Sequence, residues 1–212
     1  MDSTRQRALI VANGWLNRPT EIPHYDFLIA ADGGTHHCLK LGLHPDYVVG
    51  DLDSLDEQVL AALKSGGTQI IQYPTRKDYT DLELALQQAL HLGATEIIIL
   101  AALGARWDQT VANLLLPAAL PQVRIWLVDG AQELTFIHSE EELTVAGKPG
   151  DTVSLIPLGG DARGITTTNL EYPLTGENLR FGSTRGVSNV LLTDQATIVL
   201  EKGLLLCTII HL

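Results

Sequence analysis

Basic residues are scarce: 14 lysines and arginines stand against 25 aspartates and glutamates, a formal net charge of -11 over 212 residues. A nucleic-acid backbone is recognised through a basic patch, so no nucleic-acid partner is expected. Long apolar runs are missing too. Residues 8–12 form only a short one behind the polar start, too brief for the hydrophobic region of a secretory leader. Nothing approaches the roughly 20 apolar residues of a bilayer span, so no membrane partner is expected either. The only cysteines, Cys38 and Cys207, lie far apart without metal-ligand spacing, which excludes a disulfide framework or zinc site as the reading. These absences predict a cytoplasmic protein with reduced thiols. The seven histidines show no ligand spacing. His36 and His37 are adjacent and would face different ways on a helix, so the histidines are assigned to structure or surface. Two nucleotide fingerprints are also absent, GxxxxGK followed by Ser or Thr and GxGxxG. Any grip on phosphate has to be assembled from a metal and scattered residues.

What is present begins with rhythm. Short apolar runs at 8–12, 27–31, 47–49, 69–72, 96–100 and 124–128 read as strands, continuous rather than alternating and so covered on both faces. Between them, 35–41, 56–63, 78–92 and 109–119 carry helical spacing. Repeated strand–helix units predict an α/β fold, an open parallel sheet flanked by helices, over residues 1–130. From about Gly130 the pattern changes to short alternating segments with no room for a normal helix, which predicts an antiparallel β-sandwich over residues 131–212. Lys202-Gly203, between two apolar runs, reads as a hairpin turn.

Aspartates then arrive in three clusters, each after a predicted strand: Gly50-Asp51-Leu52-Asp53-Ser54, Lys77-Asp78-Tyr79-Thr80-Asp81 and Gly104-Ala105-Arg106-Trp107-Asp108-Gln109. Crowded carboxylates repel and are tolerable only with protons or cations among them; oxygen ligands beside phosphate favour Mg²⁺. In parallel sheets, ligands gather at the carboxyl ends of strands, where all three clusters fall. Asp51 and Asp53, two apart, project to one side of an extended chain and suit a shared cation. The plainer alternative is that Asp53-Ser54 caps the next helix. Asp78 and Asp81 lie on one face of a first helical turn with Thr80, where capping is again the alternative; Lys77 is placed to meet phosphate. Arg106 and Asp108 offer a phosphate fork and a carboxylate, or simply an ion pair with each other. Asp32-Gly33-Gly34 ends the second strand, where paired glycines expose backbone N–H groups to an anion or form only a tight turn. Late in the chain, Ser188 and Asn189 in a polar, glycine-punctuated run offer hydrogen bonds to an aminopyrimidine-like edge, or satisfy their own loop.

This ordered set, with Gly186-Val187-Ser188-Asn189 at its end, resembles the thiamine pyrophosphokinase family over nearly the whole chain. Two positions differ from many bacterial members: Gln109 in place of a histidine and Trp107 in place of a phenylalanine. The resemblance implies an ATP-binding catalytic domain followed by a thiamine-binding β-sandwich, and a homodimer holding thiamine at the subunit interface. It implies Mg²⁺-dependent transfer of pyrophosphate from ATP to the thiamine hydroxyl, giving thiamine diphosphate and AMP. Asp51, Asp53 and Asp81 would then hold metal, with Asp108 assisting and either Asp81 or Asp108 taking the proton. Asp32, Gly33, Gly34, Lys77, Asp78, Thr80 and Arg106 would face the nucleotide, and Gln109, Asn113, Ser188 and Asn189 the acceptor. A pyrophosphokinase with another acceptor, such as a hydroxymethylpterin, and a non-catalytic nucleotide or thiamine sensor are the competing expectations. So many costly like charges speak against the sensor.

Overall fold

The computed structural model describes residues 6–212 except Arg18, Thr20 and Ala105; Ala105, within the third acidic cluster, and residues 1–5 lie outside the described residues. The chain divides into two compact units, Met1–Gly130 and Ala131–Leu212. The first holds strands β1 (Arg7–Val11), β2 (Phe27–Ala31), β3 (Tyr47–Gly50), β4 (Gln69–Gln72), β5 (Glu96–Leu100) and β6 (Arg124–Asp129), with helices α1 (Gly34–Leu41), α2 (Glu57–Ser65), α3 (Asp81–His91) and α4 (Trp107–Ala118). All its strand pairs are parallel, in the order β6-β5-β1-β2-β3-β4. The α/β expectation is met, for the reason anticipated: Leu9, Ile10, Leu28, Ile29, Ile97 and Ile99 are fully buried because helices cover both faces of the sheet. Each such side chain contributes roughly 1.5–3 kcal/mol on burial. Cys38 belongs to this core, and burial pushes its thiol up to about 12, which leaves it inert at neutral pH.

The order also fixes where a ligand fits. Strands run outward from β1 in one direction through β2, β3 and β4, and in the other through β5 and β6. The reversal lies between β1 and β5, and the crevice beyond the carboxyl ends there is the natural binding position. Two helix starts differ from the sequence reading by more than one residue. α3 begins at Asp81, three residues later than expected, because the Thr80 hydroxyl accepts a hydrogen bond from Glu83 N at 3.2 Å and so supplies the cap. α4 begins at Trp107, two residues earlier, which puts Trp107 and Asp108 inside its first turn.

The second unit is antiparallel throughout. It comprises β7 (Gln132–His138), β8 (Glu141–Ala146), β9 (Thr152–Pro157), β10 (Ala162–Thr168), β11 (Glu177–Leu179), β12 (Asn189–Val190), β13 (Gln195–Lys202) and β14 (Leu204–Ile210). One group runs β12-β9-β14-β7 and the other β11-β10-β13-β8, a sandwich-like pair of sheets. Alternate residues point inward, as Ala196, Ile198 and Leu200 do on β13 and Leu143 and Val145 on β8. The Lys202-Gly203 hairpin is not formed. β13 pairs with β8 and β10, whereas β14 pairs with β7 and β9, so the turn carries the chain from one sheet to the other. Each strand thereby has a neighbour on both sides within its own sheet. Ser139, between β7 and β8, secures this corner: its hydroxyl accepts from Gly203 N at 2.9 Å and donates to Gly203 O at 3.1 Å. Among the described residues no helix is long and apolar enough to cross a membrane.

The chain end of this unit is fastened by one buried carboxylate. Asp151, only 2% exposed, accepts from Lys148 N at 2.9 Å, His211 Nδ1 at 2.9 Å and Leu212 N at 3.1 Å. Burial works to raise its pKa, but the His211 hydrogen bond and the backbone N–H groups outweigh it and hold the carboxyl below its ordinary value. A depressed folded-state pKa stabilises above the unfolded value, and that stabilisation is lost as pH falls through the folded one. Asp151→Ala is expected to lower unfolding free energy by about 2–3 kcal/mol at pH 7 in urea titrations. The difference from the parent should shrink below pH ~4, where the unfolded carboxyl protonates; a constant difference down to acid pH would contradict the assignment.

Candidate active site

Four strand ends of the first unit converge on one cavity of about 440 Å³. Asn13 and Gly14 follow β1, Asp32 closes β2, and Lys77 and Asp81 come from the turn into α3. Thr80 also lines it, as do Arg106, Gln109 and Asn113 from the start of α4. Polar groups gather here because a chain leaving a buried strand must turn, and the turn residues face solvent instead of the core.

The acidic group is tighter than sequence spacing indicated. Asp32, Asp51 and Asp53 each bring a carboxylate oxygen within 4.8 Å of the others. Asp51 and Asp53 do not meet along an extended strand as expected. Leu52 takes φ +68°, turning the loop so that Asp53 N reaches Asp51 Oδ1 at 3.4 Å. Asp32, itself at φ +44°, holds that turn: its Oδ1 accepts from Leu52 N at 3.1 Å and its Oδ2 from Ser54 Oγ at 2.8 Å. Left-handed conformations at non-glycine residues carry strain, and here a carboxylate-centred network sustains them. The helix-cap alternative for Asp53-Ser54 fails, because the N-cap of α2 is Asp56.

Lys77 bridges toward the second cluster. Its Nζ lies 3.0 Å from Asp81 Oδ1 and 3.5 Å from Asp51 Oδ2. Burial works against the ammonium, but the hydrogen bond and charges of Asp81, then of Asp51, hold its pKa above the ordinary lysine value. Burial raises the Asp81 pKa despite Lys77, and the charge of Asp51 is the main cause raising that of Asp53. Gly50 allows this closeness: a Cβ there would lie 2.7 Å from Asp32 Cβ and 3.2 Å from Asp81 Oδ1. The other paired glycines serve packing. A Cβ at Gly34 would meet Val11 O at 2.0 Å, and one at Gly33 the Asn13 side chain at 2.3 Å.

Not every expected residue joins the group. Asp78 is exposed and does not line the cavity. Asp108 is also exposed; its ion pair with Arg106, Nε to Oδ1 3.1 Å, keeps its pKa below the usual carboxylate value. Asn113 is buried, and its Nδ2 donates to Ala102 O at 2.7 Å, fastening the loop after β5 to α4. In the second unit the Asn189 amide is committed locally: Oδ1 accepts from Tyr172 N at 3.0 Å and Nδ2 donates to Tyr172 O at 2.8 Å. Ser188, at φ +64°, is exposed, with its N–H bonded to Ser154 Oγ at 3.0 Å. Sequence reasoning missed the Asn13-Gly14 turn, and it set Asp32 toward the nucleotide without grouping it with Asp51 and Asp53. The first had a signal, since it follows a predicted strand as the acidic clusters do. The second had none, because nothing local places Asp32 against a loop twenty residues on.

Three carboxylates this close, one with its pKa raised mainly by its neighbour's charge, suit a hard divalent cation. The family description "Thiamin pyrophosphokinase, catalytic domain" matches residues 19–127, and "Thiamin pyrophosphokinase, vitamin B1 binding domain" matches residues 136–205. Thiamine pyrophosphokinase of Bacillus subtilis (strain 168) is 30% identical over 203 residues, covering 93% of this chain and 95% of the relative. Thiamine pyrophosphokinase 1 of Arabidopsis thaliana is 27% identical over 224 residues, covering 93% and 84%. The crystal structure of the Bacillus subtilis protein superposes with a TM-score of 0.85 at 28% identity, covering 97% of this chain and 99% of that one. The family protein from Enterococcus faecalis superposes with 0.83 at 28% identity, covering 97% and 99%.

The raised Asp53 pKa has a measurable consequence. A carboxyl that holds its proton more tightly when folded destabilises the fold above its folded pKa, and that penalty vanishes below the unfolded one. Asp53→Asn should therefore melt at a higher temperature than the parent at pH 7, lose that advantage near pH 3, and bind Mn²⁺ more weakly. An unchanged melting temperature at pH 7 would show that the charges are not in conflict.

Proposed function

The chain belongs to the thiamine pyrophosphokinase family, enzymes that use ATP and a divalent metal to pyrophosphorylate thiamine, and we propose that it carries out this transfer with Mg²⁺ at the Asp51–Asp53 loop. The observation that carries the reading is the meeting of the Asp32, Asp51 and Asp53 carboxylates with Lys77 and Asp81 beside one cavity. Asp51, Asp53 and Asp81 would hold the ion. Bound there, it supplies neutralisation of the triphosphate and of the departing AMP oxygen. Asp32 holds the loop that presents Asp51 and Asp53. Lys77 and Arg106, the basic side chains lining the cavity, bind phosphate oxygens, and Gly14 and Thr80 shape its wall.

The thiamine hydroxyl oxygen attacks the β-phosphorus of ATP; a new O–P bond forms, the bond to the α-phosphate oxygen breaks, and AMP leaves. Asp81 takes the hydroxyl proton in preference to Asp108. Asp81 lines the cavity, whereas Asp108 is exposed and paired with Arg106. Gln109 and Asn113 face the acceptor side of the cavity. Thiamine recognition falls to the second unit, by Ser188 directly and by Asn189 through the Tyr172 segment it clamps. A homodimer, in the cytoplasm, with thiamine at the subunit interface completes the proposal. Its support is an uncovered apolar stripe on α4, Trp107, Val111 and Leu115, exposed by 85%, 54% and 50%.

The decisive assay follows AMP and ADP from ATP and Mg²⁺ with and without thiamine. Thiamine-dependent AMP matched by thiamine diphosphate is expected, and Asp51→Asn should lower that turnover by about 100-fold or more while the protein stays folded. ADP as product, or AMP formed on a pterin acceptor and not on thiamine, would refute the reading. Leu115→Asp is expected to shift the protein to a monomer in sedimentation and to reduce turnover with it; an unchanged dimer would remove α4 from the interface.

A further inference from the structure

Helix α1 starts at the end of β2, and β2 lies between β1 and β3 in the sheet. Its first turn therefore stands between the loops that leave β1 and β3. Successive residues on a helix project about 100° apart, so two neighbouring side chains there can reach to opposite sides. His36 and His37 do so. His36 Nε2 lies 3.0 Å from Ser54 O, in the loop carrying Asp51 and Asp53, and His37 Nε2 lies 2.9 Å from Gly14 O, in the turn lining the cavity. A carbonyl oxygen only accepts, so both rings donate through Nε2–H. The other ring nitrogen of His37, Nδ1, is buried with no hydrogen-bond partner among the described residues, where the Gly14 contact is that ring's one polar tie.

From this geometry we infer that the histidine pair consists of two positioning residues with separable effects: His36 sets the metal-binding loop, and His37 sets the turn against the nucleotide. Neither touches the reacting atoms. His36 acts on Ser54, whose hydroxyl in turn holds Asp32 Oδ2 at 2.8 Å, so the carboxylate group is fixed from both faces of the loop. His37 acts on Gly14, whose N–H is bound to Ala101 O at 2.7 Å, so the turn is held between α1 and the end of β5. A partner that orients a metal ligand typically affects metal affinity by 10- to 100-fold, and one step further out the effect should be near the lower bound. Glutamine carries an N–H at the same reach as imidazole Nε2, so it should preserve each tie where alanine breaks it.

The inference rests on the metal and nucleotide assignment above, and the test separates the two. Mn²⁺ affinity without nucleotide, by electron paramagnetic resonance, and KM for ATP against kcat are measured for His36→Ala, His36→Gln, His37→Ala, His37→Gln and Asp51→Asn, with thermal melts confirming that each folds. His36→Ala should weaken Mn²⁺ binding by roughly 10-fold, with His36→Gln close to the parent. His37→Ala should raise the KM for ATP several-fold at near-constant kcat and unchanged Mn²⁺ affinity, with His37→Gln restoring it. If alanine and glutamine behave alike at each position, or both alanine variants shift both readouts equally, the division of labour is wrong. If Asp51→Asn binds Mn²⁺ as the parent does, the metal assignment itself fails.

Discussion

Repulsion among the carboxylates of Asp32, Asp51 and Asp53 is the constraint around which the first unit is arranged. Negative charges within 4.8 Å of one another do not assemble unless something else in the fold insists on it. What insists is the parallel sheet. β2 and β3 are neighbours with every core-facing side chain buried, so the turns leaving them are delivered to the same edge whatever charge they carry. The backbone then yields where the side chains cannot: Asp32 and Leu52 take positive φ, and their strain is met by the bonds from Leu52 N and Ser54 Oγ to the Asp32 carboxylate. Stability in the core is thus used to hold a locally unfavourable polar group.

Lys77 shows how that group is kept from being worse. Its ammonium stands between Asp51 and Asp81 and offsets part of their charge, while burial by itself would favour its neutral form. The three-residue delay in the start of α3 belongs to the same arrangement. Capping by Thr80 frees Asp81 from the cap position and lets it turn toward Gly50, where only the missing Cβ makes room. The second unit uses a buried carboxylate in the opposite sense: Asp151 is ringed by donors instead of like charges, so its pKa falls where that of Asp53, beside the charge of Asp51, rises.

Much of this was legible from residue order. Short continuous apolar runs between amphipathic stretches read as strands buried on both faces, and the alternating runs after Gly130 as half-buried ones, so the α/β and antiparallel layouts follow from periodicity and run length together. Because each acidic cluster follows a strand, residue order alone sets it at the carboxyl edge of the sheet. Helix starts were less legible, since Asp78, Thr80 and Asp81 are all plausible caps and a single hydrogen bond to Glu83 N decides among them.

The chain by itself determined which residue types reach the edge of the sheet, because period and burial are local properties of sequence. Only the tertiary structure decided who meets whom there. Asp32 joining Asp51 and Asp53, Asn189 spending its amide on Tyr172, and the Lys202-Gly203 turn crossing between sheets all depend on contacts distant in sequence. Such contacts are set by strand order and register, which no short stretch of sequence encodes, and so the pattern foretold the site's composition while packing chose its members.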